Sequence, residues 1–220
     1  MTVTIILSIA LRAMLLTACG IGVSDAVFHH EGGFMNGGGV LYYTIPSNLW
    51  VFFITAVYLV LSVVSLFTGE VLSCRVLEIA RFAVLVGITI TFLIFWAVLA
   101  PSMGKDYLLS RNNLLVHTLV PLLFIADFFL FDRIAPLGKL AVLWSLAMPV
   151  YYFIFSIAHA AVNPHLTFED GSRYPYFFLD LDKFGWFGFQ KSLGVFWWVL
   201  IIMALTLGLG YLYRFLQNIL

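Results

Sequence analysis

Residues 42–68 read YYTIPSNLWVFFITAVYLVLSVVSLFT, a polar collar followed by an uninterrupted apolar run. Pro46 has a fixed φ and no N–H, so it suits the first turn of a helix. Ser47 or Thr44 is the natural cap, and the helix then continues from Leu49 to Thr68. A run of this length is what a hydrocarbon core of about 30 Å demands, since each helical crossing needs about 20 predominantly apolar residues. The collar places two hydroxyls, Thr44 and Ser47, and the amide of Asn48 at the mouth of that crossing. Thr44 and Asn48 are four residues apart and share a helix face.

The rest of the chain repeats this pattern. Of 220 residues, 63% are hydrophobic and only 10% charged, where a soluble domain carries roughly a quarter charged residues. The mean hydropathy of +1.05 agrees. Apolar runs at about 3–24, 48–68, 80–100, 114–131, 138–160 and 194–216 predict an all-α integral membrane protein, a six-helix bundle in one transmembrane domain over 1–220. Gly69, Pro101, Pro136 and Gly138 punctuate these spans. The N-terminus lacks a basic leader and carries Arg12 within its apolar stretch, which predicts a retained first helix. The net charge is zero and no basic block suggests a nucleic-acid partner. Cys19 and Cys74 have no metal-ligand spacing, and their predicted depths differ, which argues against a disulfide.

Six crossings put both termini on one face. The predicted positive charges tie at five per face. Arg75, Arg81, Arg133, Lys139 and Arg214 lie on the terminal face, against Lys105, Arg111, Arg173, Lys183 and Lys191 opposite. The first set sits in tight loops near helix ends, where the positive-inside bias is strongest, so the terminal face is expected to be cytoplasmic. The same count brings Thr44, His117, His159 and the long loop 161–193 to the opposite face.

His117 follows Asn112 and Asn113 and precedes Pro121. Asn113 lies one turn earlier and is placed to hold the imidazole in one tautomer. Pro121 cannot donate to the His117 carbonyl, so that carbonyl is expected to stay free and the helix to kink. A threonine hydroxyl becomes a nucleophile only beside a base, and Asn48 is a candidate oxyanion donor, with Ser47 next to it. A helix-capping threonine, an interfacial histidine and a bridging asparagine account for the same residues.

Three motifs taken together are more specific. Tyr43-Thr44 with Ser47-Asn48 opens the second span, Asn113, His117-Thr118 and Pro121 open the fourth, and Tyr174-Pro175-Tyr176-Phe177-Phe178-Leu179-Asp180 precedes the sixth. In order and spacing the chain resembles the androgen-induced and androgen-dependent TFPI-regulating membrane proteins and their bacterial relatives. The resemblance implies an integral-membrane threonine hydrolase of fatty acid esters of hydroxy fatty acids, with a Thr–His pair and no metal or other cofactor. Carried over, the nucleophile is Thr44 and the essential histidine His117. Pro46, the Ser47-Asn48 pair and the extended loop Asn163 to Gly171 look like the bacterial members, which implies a cytoplasmic (inner) membrane location. The expected partners are a lipid ester substrate and the surrounding membrane lipids.

Other features admit other readings. Arg12 and Asp127 are the charges predicted deepest in the membrane and are expected to pair, since a lone charge at the bilayer centre costs roughly 2.5–3.5 kcal/mol. A transporter or lipid-binding protein would use the same pair as a relay. His29, His30 and Glu31 beside Gly32, Gly33, Gly37, Gly38 and Gly39 raise a metal-dependent lipid hydrolase as a third alternative. Adjacent histidines do not converge from regular structure, and no HExxH pattern is present. Loop 161–193 is rich in aromatics, and Tyr174, Tyr176 and Tyr43, with His159, are the candidates for a lid or substrate pocket.

Overall fold

The computed structural model describes residues 2–28, 39–131, 137–168, 170–189 and 193–219. It is an all-α bundle, with no strand among the described residues. Six segments are long and apolar enough to cross a membrane: α1 Thr2–Phe28, α2 Thr44–Thr68, α3 Arg75–Ser102, α4 Arg111–Phe131, α5 Lys139–Val162 and α6 Val195–Ile219. The protein is a multi-pass membrane protein. Each segment runs a few residues past at least one end of its apolar run, because polar residues at the interface continue the backbone hydrogen bonding. α2 stops at Gly69, whose left-handed backbone (φ 74°) lets its N–H reach the Ser65 carbonyl.

α3 is the central helix, with 56% of its membrane-crossing window buried against 17% for α6. α1, α2 and α4 pack against one another, and α2 and α4 also pack on α3. α5 and α6 cover α3 elsewhere. α6 lies along the 3-10 turns Lys139–Leu146 that begin α5, and the segment Phe177–Leu179 touches both α6 and the later part of α5, Ala147–Val162. A cleft is left under that segment. The outward face of α2 is apolar too: Trp50, Phe53, Val57, Val60 and Phe67 are exposed, as a lipid-facing stripe should be.

The Arg12–Asp127 pair forms, at 3.0 Å. It has a third member that the loop-charge count misplaces. Arg81 lies inside α3, fully buried, with Nη2 2.5 Å from Asp127. Its guanidinium lies 4.0 Å from the Tyr58 ring centroid, and Arg12 also donates to the Tyr58 carbonyl and the Ser62 hydroxyl. Arg81 therefore does not belong among the charges that orient the bundle. The cluster ties α1, α2, α3 and α4 together.

Candidate active site

Thr44 is the first residue of α2, and its side chain does not cap the helix. Its Oγ1 lies 2.9 Å from Nε2 of His117, and both residues are buried. The expected cap is absent because this hydroxyl is engaged across the bundle. Ser47 is not a cap either. Its hydroxyl donates to the Thr44 carbonyl at 2.9 Å and lies 2.8 Å from Thr91 Oγ1.

His117 sits in a π-helical turn, Leu115–Leu119, and sequence explains why. In that turn the Val120 N–H bonds to the Leu115 carbonyl, five residues back. The next N–H in this register would come from residue 121 and would serve Val116, but residue 121 is proline. The carbonyl left without a helical donor is thus that of Val116, one residue before the one expected for an ordinary α-helix. Asn48 supplies the missing donor, with Nδ2 3.1 Å from the Val116 carbonyl and 2.8 Å from the Thr44 carbonyl. Both amide hydrogens are spent on main-chain carbonyls, so Asn48 is a clamp joining the two candidate residues and not a free oxyanion donor.

A second π turn faces the first. Phe95–Leu99 of α3 ends with the Ala100 N–H on the Phe95 carbonyl, immediately ahead of Pro101. The Phe95 ring stacks on the His117 imidazole, with centroids 3.7 Å apart and planes at 17°. Trp96 donates from Nε1 to Thr118 Oγ1 at 3.1 Å. Such widened turns occur mostly singly and often at functional sites. Here two of them fix one ring. Behind them α1 approaches closely at Gly22, where an added Cβ would lie 2.6 Å from Val116 Cγ1.

The Asn113 side chain does not orient His117, because its Nδ2 donates to the Leu108 carbonyl at 2.9 Å. Nδ1 of His117 is buried and makes no hydrogen bond. For Nε2 to accept from the Thr44 hydroxyl, the ring proton of the neutral imidazole must sit on Nδ1.

Thr44 also lines an open cleft. The walls are mostly apolar: Ile90, Ile94 and Leu99 of α3, Phe153 of α5, and Ile202 and Met203 of α6. Of the pocket candidates, Tyr43 and Tyr176 line it. Tyr43 donates to the Gly87 carbonyl at 3.4 Å, and burial pushes its phenol above the ordinary range. Tyr174 is buried beside Ser172, away from the cleft, and its N–H donates to the Ser172 hydroxyl. His159 is not part of the wall either. It sits near the end of α5 with its ring 6.1 Å from that of Phe155. Sequence reasoning missed Phe95, Thr91 and Tyr152, which face this region from α3 and α5. The prolines at 101 and 121 were the available signal for the paired turns.

Among the described residues no group of three His, Cys, Asp or Glu side chains could hold a metal. His29, His30, Glu31 and most of the adjoining glycines lie outside the described residues. No family model, no curated protein and no solved structure matches the chain.

Proposed function

We propose that this protein is an intramembrane lipid ester hydrolase with Thr44 as nucleophile and His117 as general base. The carrying observation is the 2.9 Å contact between Thr44 Oγ1 and His117 Nε2 at the wall of an apolar cleft. Thr44 attacks the ester carbonyl carbon as Nε2 takes its proton, and the carbonyl π pair moves onto oxygen. The oxyanion collapses, the C–O bond to the alcohol breaks, and His117 returns its proton to the leaving alkoxide. Water then attacks the acyl-threonine, losing a proton to His117, and the acid leaves as Thr44 is restored. The position of Thr44 at the start of α2 favours negative charge on its oxygen.

A cleft of this lining suits an acyl chain, and the substrate class we assign is fatty acid esters of hydroxy fatty acids or similar acyl esters, approached sideways from the bilayer. We place the protein in a cytoplasmic (inner) membrane with both termini in the cytoplasm. The ion cluster of Arg12, Asp127 and Arg81 does not line the cleft, which favours a structural role over a transport relay.

The test is covalent labelling of the purified protein by a fluorophosphonate. Wild type should be labelled on Thr44, and both Thr44→Ala and His117→Ala should abolish labelling. Labelling that survives Thr44→Ala refutes the assignment. Ester hydrolysis that persists in Thr44→Ala but is lost on chelation would point instead to the metal-dependent alternative.

A further inference from the structure

Three phenols crowd the cleft wall near Thr44, and their hydroxyls go to different places. Tyr43 donates to the Gly87 carbonyl and Tyr152 donates to the Leu41 carbonyl, the latter at 2.7 Å. The hydroxyl of Tyr176 has no such fixed acceptor. Tyr176 lines the same cleft as Tyr43 and Thr44, where α2 begins. The first N–H groups of a helix have no acceptor within it, so this point carries both main-chain donors and the positive end of the helix dipole.

The ring of Tyr176 is held on three sides. It stacks on Phe178 with centroids 4.9 Å apart and planes at 7°. The rings of Tyr42 and Tyr152 meet it at 5.5 Å and 6.1 Å, edge on. Its motif, Tyr174-Pro175-Tyr176, thus delivers one immobilised phenol to the candidate nucleophile from a loop over the cleft.

We propose that Tyr176 is a third catalytic residue, whose O–H donates to the oxyanion formed when Thr44 attacks an ester. The inference rests on the hydrolase reading. It fills the role from which Asn48 is barred by its two carbonyl bonds. In the resting site Thr44 Oγ1 meets His117 Nε2, and Tyr176 lines the same cleft. When the Oγ1–carbon bond forms, the electron pair of the carbonyl moves to its oxygen, and the Tyr176 O–H turns to that oxygen without giving up its proton. Burial raises the Tyr176 phenol above its ordinary value, which keeps it a donor throughout.

The test uses the full-length protein in detergent, with fluorophosphonate labelling of Thr44 as the control for the hydrolase reading. Tyr176→Phe keeps the ring stack and removes only the hydroxyl. We expect kcat on an activated acyl ester to fall roughly 10²–10³-fold, the size seen on losing one oxyanion donor, with KM little changed. Affinity for an acyl trifluoromethyl ketone, which forms an oxyanion on Thr44, should fall in parallel. Affinity for the matching non-hydrolysable ether should not fall, as it would if the residue only shaped the pocket. If wild type labels on Thr44 but the variant keeps kcat and ketone affinity within about threefold, the Tyr176 assignment alone is overturned. If wild type does not label, both fall. Should Tyr176→Phe fail to fold, 3-fluorotyrosine at this position supplies a more acidic donor of nearly the same size. The ketone should then bind more tightly, and unchanged affinity overturns the assignment.

Discussion

Replacing Asn48 with alanine should destabilise the bundle through one identifiable atom, the carbonyl oxygen of Val116. Asn48 is fully buried and gives its two amide hydrogens to the carbonyls of Thr44 and Val116. Two buried hydrogen bonds contribute about 1 kcal/mol each, and a carbonyl left buried without a donor costs about 1–3 kcal/mol more. The expected loss is therefore about 3–5 kcal/mol. The cause can be isolated in a double-mutant cycle with Pro121→Ala. Residue 121 then has an N–H, and the register set by Val120 on Leu115 directs it to the Val116 carbonyl. In that background Asn48→Ala should cost less by the desolvation part, about 1–3 kcal/mol. The void left by the shorter side chain is common to both arms and cancels. Unfolding in mixed micelles by titration with a denaturing detergent, followed by circular dichroism, measures all four proteins. Equal costs in the two backgrounds, within about 0.5 kcal/mol, would refute the claim that the proline creates the need Asn48 meets.

Two further outcomes follow from the packing. Asp127→Asn leaves the guanidiniums of Arg12 and Arg81 facing each other in a buried site, and breaking such a pair from one side costs about 3–5 kcal/mol. Its melting transition should drop well below that of wild type, and an unchanged transition would show that the cluster contributes little to the fold. Met203→Trp should fill the part of the cleft beside α6. Hydrolysis of a long-chain nitrophenyl ester should then fall by roughly tenfold or more while a two-carbon ester is spared. Equal losses on both esters would mean that the cleft does not hold the chain.

The crossings were legible because hydrocarbon demands long apolar runs and tolerates few alternatives. The residues of the candidate site were legible as types, since hydroxyl, imidazole and amide stand out against a lipid-facing background. Their roles were less so. The reading of Pro121 saw a carbonyl deprived of its donor but assigned it to His117, because an α-helical count was assumed and the turn is one residue wider. The same assumption hid the stacking of Phe95, which a second proline sets up in α3. Arg81 was counted with the loop charges because it lies near the start of an apolar run, and α3 in fact begins six residues earlier. Pairings between distant segments, such as Arg81 with Asp127 or Phe95 with His117, leave no trace in local spacing.

α4 is held at two heights. Near one end the carboxylate of Asp127 is gripped by two guanidiniums, and ten residues away the imidazole is fixed by Phe95 and by the clamp on its neighbouring carbonyl. Ten residues of helix measure about 15 Å, so the lower grip acts as a ruler for the upper. The helix cannot slide to suit a thicker or thinner bilayer without breaking one of the two. Mismatch must then be met by tilt of the whole bundle, and the depth at which an ester meets the imidazole travels with the protein and not with the lipid.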